Sequence, residues 1–231
     1  MKFIVKYSEK HDLDNYLNRI WKNTWVDYGN DNKEYFYRFA EKDFIDQLLA
    51  TKDKKEAKNV VKEYWKKTLP PSFEGDNEFL IKWFSRILNE ESERIVWRLE
   101  KVYGDKVPFK EITVYITTCF FNPYNYEERY FMVSRNSNLF GILNTTRHEL
   151  NHFMFYYYYS DYMKKRGVSF ENTEYLKEAL AILTSGKKSE NEGRSNQIIE
   201  IEKFIKNNRN KGVKEIIDQV IEKNFFETKD K

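Results

Sequence analysis

The sequence predicts a predominantly helical α+β fold. Three observations point there. Glycine and proline are scarce, 8 and 4 residues of 231, which disfavours a fold built on many tight turns. Apolar residues recur at helical spacing through most of the chain, as in Leu13, Tyr16, Leu17, Ile20 and Trp21. Residues 112–134, by contrast, are rich in β-branched and aromatic side chains, the composition of strands.

The elements follow in order. Residues 2–7 read as a short strand and 13–25 as a helix. A second helical region, 33–69, breaks near Thr51-Lys52-Asp53. It stops at Pro70-Pro71, because proline lacks the N–H a helix needs and forces the preceding residue out of the α region. A third helix, 77–103, carries Phe79, Leu80, Trp83, Phe84, Ile87, Leu88, Ile95, Val96 and Leu99 on one stripe, with Gly104 as its cap. Residues 112–121 read as a buried strand, Asn122-Pro123-Tyr124-Asn125 as a turn, and 129–134 as a second strand antiparallel to the first. A helix over 143–163 ends at Lys164-Lys165-Arg166-Gly167, basic residues suited to the negative helix end followed by a glycine cap. Another runs from Asn172 or Thr173 to about residue 184. Residues 186–195 form a polar linker, and 197–226 give two helices meeting near 207–212. This order marks out a helical N-terminal region, 1–105, a central core, 106–188, and a helical C-terminal region, 189–231, together forming one compact unit.

Charge narrows the partners. Forty basic residues face 37 acidic ones, a net charge of +3, too even a balance for a polyanion-binding surface. The lysine-rich stretches 52–58 and 62–67 are interleaved with acidic and aromatic residues and read as solvated helix faces. No nucleic-acid partner is expected. The single cysteine, Cys119, forms no intramolecular disulfide, suits a reducing compartment and reads as a buried free thiol. The apolar run at residues 3–5 is too short for a signal peptide, and the uncharged stretch 112–126 is too short for a membrane span. A cytoplasmic protein without a membrane partner is the expectation.

The chemistry concentrates in one motif. The chain has three histidines, and two of them stand four apart in His148-Glu149-Leu150-Asn151-His152. On a helix, residues i and i+4 share a face, so both imidazoles can reach one metal ion. Glu149 sits at the edge of that face, placed to hold a water molecule rather than the ion. Zinc in such a site lowers the pKa of its water to about 7, and a neighbouring carboxylate takes the proton as the water attacks a carbonyl. A structural zinc would call for four protein ligands, usually cysteines; here Cys119 is alone, so a site with an open position fits better. Leu143, Leu150, Phe153, Met154 and Tyr157 mark the buried side of this helix, leaving the opposite side to present ligands. His11, in the polar run Glu9-Lys10-His11-Asp12, reads as a surface residue.

The third ligand lies elsewhere, since residues 153–163 contain no histidine. The next helix offers Glu178, with Glu174 as the alternative. Small residues follow Glu178 in Glu178-Ala179-Leu180-Ala181 and would let the two helices approach closely.

His148-Glu149-x-x-His152 followed by Glu178-Ala179-Leu180-Ala181 resembles the gluzincin family of zinc metallopeptidases, over about residues 110–186. The resemblance implies a zincin-like core with a small mixed or antiparallel sheet, one zinc ion held by His148, His152 and Glu178, and hydrolysis of peptide bonds with Glu149 as general base. It also implies a peptide substrate lying along a free edge of the strand at 128–134, in contact with Tyr130 and Met132. An oxyanion-stabilising hydroxyl is sought among the tyrosines, with Tyr162 and Tyr175, which flank the connection to the glutamate helix, as candidates. Two departures stand out. The 25 residues between His152 and Glu178 are more than the best-known members have, and Ile182 occupies the place where a histidine-orienting carboxylate often stands. A catalytically silent or regulatory relative that keeps the scaffold for protein binding is the alternative.

Overall fold

The computed structural model describes residues 1–22, 32–185 and 195–226. Residues 23–25, the end of the first expected helix, and 186–194, most of the expected linker, lie outside them. The architecture is α+β and mostly helical, as the composition predicts, with one small mixed sheet. Among the described residues no helix is long and apolar enough to cross a membrane. The chain forms two compact units, one of Phe3–Leu88 and Ile112–Asn138, the other of Met1–Lys2, Asn89–Glu111 and Leu139–Lys231. Each gathers segments distant in sequence.

The first unit holds the sheet. Its strands are β1 (Lys2–Tyr7), β2 (Glu111–Thr117), β3 (Tyr124–Asn125) and β4 (Tyr130–Ser134), in the order β1-β2-β4-β3. Its helices are α1 (Glu9–Tyr16), continued by a π-helical turn at Leu17–Trp21, then α2 (Asn32–Tyr37), α3 (Lys42–Ala50), α4 (Lys54–Thr68) and α5 (Phe73–Glu90). Asp53 caps α4 by accepting hydrogen bonds from the Lys55 and Glu56 amides, and α4 stops one residue before Leu69-Pro70, as the proline pair requires.

Two strand expectations are corrected. β2 and β4 run parallel, with Val114 opposite Phe131 and Ile116 opposite Val133. The link 118–129 supplies the return of about a dozen residues that a parallel pair needs, and the turn signal within it serves β3, which pairs antiparallel with β4. β2 also ends at Thr117 instead of 121, because α1 captures the chain there. Asp12, fully buried, accepts hydrogen bonds from Thr117 Oγ1 (2.6 Å), Thr118 N (2.9 Å) and Thr118 Oγ1 (2.8 Å), while Asn15 donates to the Phe121 carbonyl (2.9 Å). These polar groups take the backbone of 118–121 away from the ladder. His11 is half-buried, its ring stacked on Tyr115 with centroids 4.0 Å apart.

The second unit is helical: α6 (Ser92–Tyr103), α7 (Leu139–Lys165), α8 (Phe170–Leu180), a 3-10 turn at Ala181–Leu183, α9 (Asn196–Asn207) and α10 (Val213–Glu222). α7 packs against α6 and α8, α8 against α9, and α10 against α6. The expected single helix over 77–103 is two, α5 and α6, broken at Glu91. Periodicity conceals the break, because Leu88 and Ile95 are seven residues apart and stay in phase across it. The stripe is also narrower than expected: Phe84, Leu88, Ile95 and Leu99 are buried, whereas Phe79 is exposed. Gly104 ends α6 at φ 75°, a left-handed conformation that glycine adopts without a Cβ clash, and donates its N–H to the Glu100 carbonyl.

Candidate metal centre

α7 is the central helix of its unit. Every residue from 148 to 155 is buried, so the helix is enclosed on all sides rather than free on the ligand side as the sequence predicts. His148 and His152 stand one turn apart on it, with rings 4.4 Å apart and side chains 7% and 1% exposed. Glu149, between them in sequence order, is buried.

α8 brings the third group. Ser169 caps it through the Asn172 amide, and Leu176, Ala179 and Leu180 are buried, with α8 packed on α7 and α9. Ala179 and the following Ala181 are buried small residues, and small side chains at a helix contact shorten the distance between axes. Glu178 thereby reaches the histidines: its Oε1 lies 3.2 Å from His152 Nε2 and its Oε2 3.4 Å from His148 Nε2. One ligand atom from each of the three residues falls within 4.8 Å of the others. Glu178 is 21% exposed, which makes it the side on which the cluster meets solvent.

The donor set fits a divalent ion that accepts nitrogen and oxygen. A tetrahedral zinc with bonds of about 2.0–2.1 Å separates its ligands by about 3.3–3.4 Å. The two histidine–glutamate distances are of that size, each to a different carboxylate oxygen, and the 2.9 Å between the two Nε2 atoms needs a small opening. Electrostatics favour the ionised carboxylate. Burial by itself would raise the pKa of Glu178, but the charges of His152 and Lys177 and hydrogen bonds from both histidines outweigh it and hold the carboxyl well below the usual range.

Glu174, the alternative ligand, is otherwise engaged. Its Oε1 accepts the Tyr156 hydroxyl at 2.5 Å and its Oε2 receives Lys177 Nζ at 2.7 Å. Glu178 is the glutamate that joins the histidines. Tyr162 and Tyr175 do not join them. The Tyr162 hydroxyl donates to Asp218 on α10, and Tyr162 stands ten residues beyond His152, about 15 Å along the helix axis. The Tyr175 hydroxyl donates to Glu171, one turn back on α8. Tyr156, one turn after His152, is the tyrosine tied to the glutamate helix.

Among the described residues β4 shows no free edge. β4 has β2 on one side and β3 on the other, and its outer donors are taken: Met132 N by the Pro123 carbonyl (2.8 Å) and Ser134 N by Asn122 Oδ1 (2.8 Å). Met132 is buried in its own unit, and Tyr130 packs edge-on against His11 and Tyr115. The short β3 ladder covers the groups a substrate strand would need.

Sequence reasoning missed the groups that lock the site. Asn151, inside the motif, donates to Thr184 Oγ1 (3.1 Å) and to the Leu180 carbonyl (3.4 Å), while the Tyr103 hydroxyl of α6 donates to Asn151. Thr184 in turn donates to the Arg147 carbonyl (3.1 Å). Three segments are thus tied to the turn of α7 that bears the histidines. Lys177 was legible in principle, since it shares a face with Thr173, Leu180 and Ala181, all buried, and a lysine at an apolar position calls for a partner. Comparison with known proteins finds no matching family model, no matching curated protein and no matching solved structure.

Proposed function

We propose that this chain is a zinc-dependent peptidase of gluzincin type, acting in the cytoplasm, with a zincin-like core formed around α7 and α8. The observation that carries the reading is the convergence of His148, His152 and Glu178, from two helices, to within 4.8 Å at the mouth of a buried cluster. Two imidazoles and a carboxylate at this spacing form a donor set suited to one divalent ion.

In this reading the two histidines and Glu178 hold the ion. When bound, zinc supplies Lewis acidity, polarising a substrate carbonyl and acidifying a water molecule. With the ion held, Glu149 would serve as general base, its carboxylate taking a proton from the attacking water and returning it to the departing amine. Burial of Glu149 and the two histidines keeps bulk water from competing for these groups. The peptide class of substrate rests on the motif's resemblance to gluzincins, and the covered edge of β4 directs the search for the substrate cleft away from that strand.

The test is metal analysis and peptide-library cleavage on the full chain and on Glu149→Gln. The wild type is expected to carry one zinc per chain, and Glu149→Gln to keep it while losing about 10²–10⁴-fold in hydrolysis. A metal-replete wild type without stoichiometric zinc overturns the reading. Zinc binding without cleavage of any peptide would instead favour a silent protein-binding module.

A further inference from the structure

We propose that Arg94, Arg98 and Arg147 form an anion site that takes a phosphate group, where α6 packs against α7. Arg94 and Arg98 stand one turn apart on α6, both exposed, and Arg147 is half-buried on α7. Arg147 Nε is buried and makes no hydrogen bond among the described residues. A charged donor shut off from water without an acceptor costs free energy, and more than a neutral one does. Its surroundings add to that cost. Burial and the charges of Arg98 and Arg94 all act against the cation on Arg147, and Glu91 is the one carboxylate whose charge favours it. That carboxylate is already set against Arg94, its Oε2 3.6 Å from Arg94 Nη1.

The charge count selects the ligand. Three guanidinium charges against one carboxylate leave two positive charges unmatched. A phosphate monoester carries about −1.5 to −2 charges near neutrality and three acceptor oxygens, one for each guanidinium. A carboxylate carries a single charge and two oxygens, and leaves part of the surplus standing. Arginine also suits the role chemically, because its planar fork donates paired N–H groups to phosphate. A phosphate seated here supplies the acceptor that Arg147 Nε lacks and the negative charge that the cluster lacks. The site does not rest on the metal reading. Glu178 comes to α7 from α8, these arginines come from α6, and neither Glu178 nor the histidines are among the charges acting on Arg147.

Calorimetry on the full chain at low ionic strength, with inorganic phosphate as the probe and acetate as the control anion, tests the site. One phosphate per chain is expected, bound more tightly than acetate. Arg94→Gln/Arg98→Gln changes exposed side chains only and should weaken phosphate binding about tenfold or more. Arg147→Gln should do the same, and Arg147→Lys, which keeps the charge but not the fork, should recover part of the loss. His152→Ala should bind phosphate as the wild type does. A phosphoserine peptide, compared with its unphosphorylated form, then separates the sources: binding tighter than free phosphate assigns the group to a phosphorylated chain, and weaker binding assigns the free anion. No saturable binding at millimolar phosphate overturns the site, as does acetate binding as tight as phosphate. Unchanged affinity in Arg94→Gln/Arg98→Gln also overturns it, and loss of binding in His152→Ala would move the anion to the histidines.

Discussion

The Nε2 atoms of His148 and His152 lie 2.9 Å apart, within hydrogen-bonding distance. Two imidazoles meet in this way when one nitrogen carries a proton and the other offers its lone pair. A cation bound by both must take the place of that proton and of the contact it makes. Zinc is therefore expected to bind the folded chain and to stabilise it, by about 2.7 kcal/mol when its free concentration is 100 times the Kd. Urea denaturation with and without zinc measures this, with magnesium as the control ion. His152→Ala should lose the zinc-dependent part, and an equal zinc effect in that variant would place the ion elsewhere.

Asn151 ties the motif turn to the end of the glutamate helix. Its amide reaches Thr184 and Leu180, and the buried Tyr103 hydroxyl is shared between the Asn151 backbone carbonyl (3.0 Å) and its Oδ1 (3.1 Å). Truncation to Ala removes the contacts with Thr184 and Leu180, while the Tyr103 hydroxyl keeps the Asn151 backbone carbonyl and the Thr184 hydroxyl keeps the Arg147 carbonyl, so the cost should be about 0.5–1.5 kcal/mol for each hydrogen bond lost. Tyr103→Phe removes one hydroxyl without a change of shape and should cost about 1 kcal/mol. Chemical denaturation gives both values. Because the clamp sets the distance from α8 to His148 and His152, Asn151→Ala should also weaken zinc binding more than Tyr103→Phe does; equal affinities would separate the clamp from the site.

What could be read from sequence divides along a physical line. Local signals were sufficient where a residue's role depends on neighbours in the chain: the His148/His152 spacing, the stop before Pro70, the glycine ends at Gly104 and Gly167, and the small residues after Glu178. They failed where role depends on partners far along the chain. Nothing in 129–134 says that β2 lies parallel to it or that Tyr124–Asn125 covers its other side. Nothing in the 148–155 pattern says that the helix is enclosed on all sides, since that follows from how α6 and α8 pack around α7. Tyr162 and Tyr175 drew attention by flanking the connection between the helices, but hydroxyl groups follow the nearest carboxylate, here Asp218 and Glu171.

Cys119 has no exposed surface and sits among the apolar side chains of α1, α3 and α4, with Leu17, Ile45 and Val61 in the same cluster. Burial pushes its thiol pKa up, so the reactive thiolate is both scarce and shielded. In the native protein a thiol reagent such as Ellman's should modify it only as fast as the unit opens, with one thiol per chain appearing in denaturant. Rapid full modification under native conditions would contradict the packing of this unit.

Asp218 links α10 to the last turns of α7, and its protonation gives a defined pH dependence. Lys214 Nζ stands 2.7 Å from its Oδ2, Arg166 lies 3.4 Å from its Oδ1, and the Tyr162 hydroxyl donates to the same Oδ1. Partial burial alone would raise the carboxyl pKa, but hydrogen bonds from Lys214 and Tyr162 and the nearby cations outweigh it and lower it. A carboxyl whose folded pKa is depressed stabilises the fold above its unfolded pKa, about 3.9, and loses that contribution as the pH falls through the lower folded value. Asp218→Asn should therefore cost about 0.5–1 kcal/mol near neutrality, the modest size reflecting a side chain that is 24% exposed and screened by solvent. The difference between the two proteins in urea denaturation should hold from about pH 7 to pH 5 and shrink below about pH 4. It should also diminish in high salt, as exposed ion pairs do. A cost that grows on acidification would mean that Asp218 is held in its protonated form, with Tyr162 and Lys214 serving some other group.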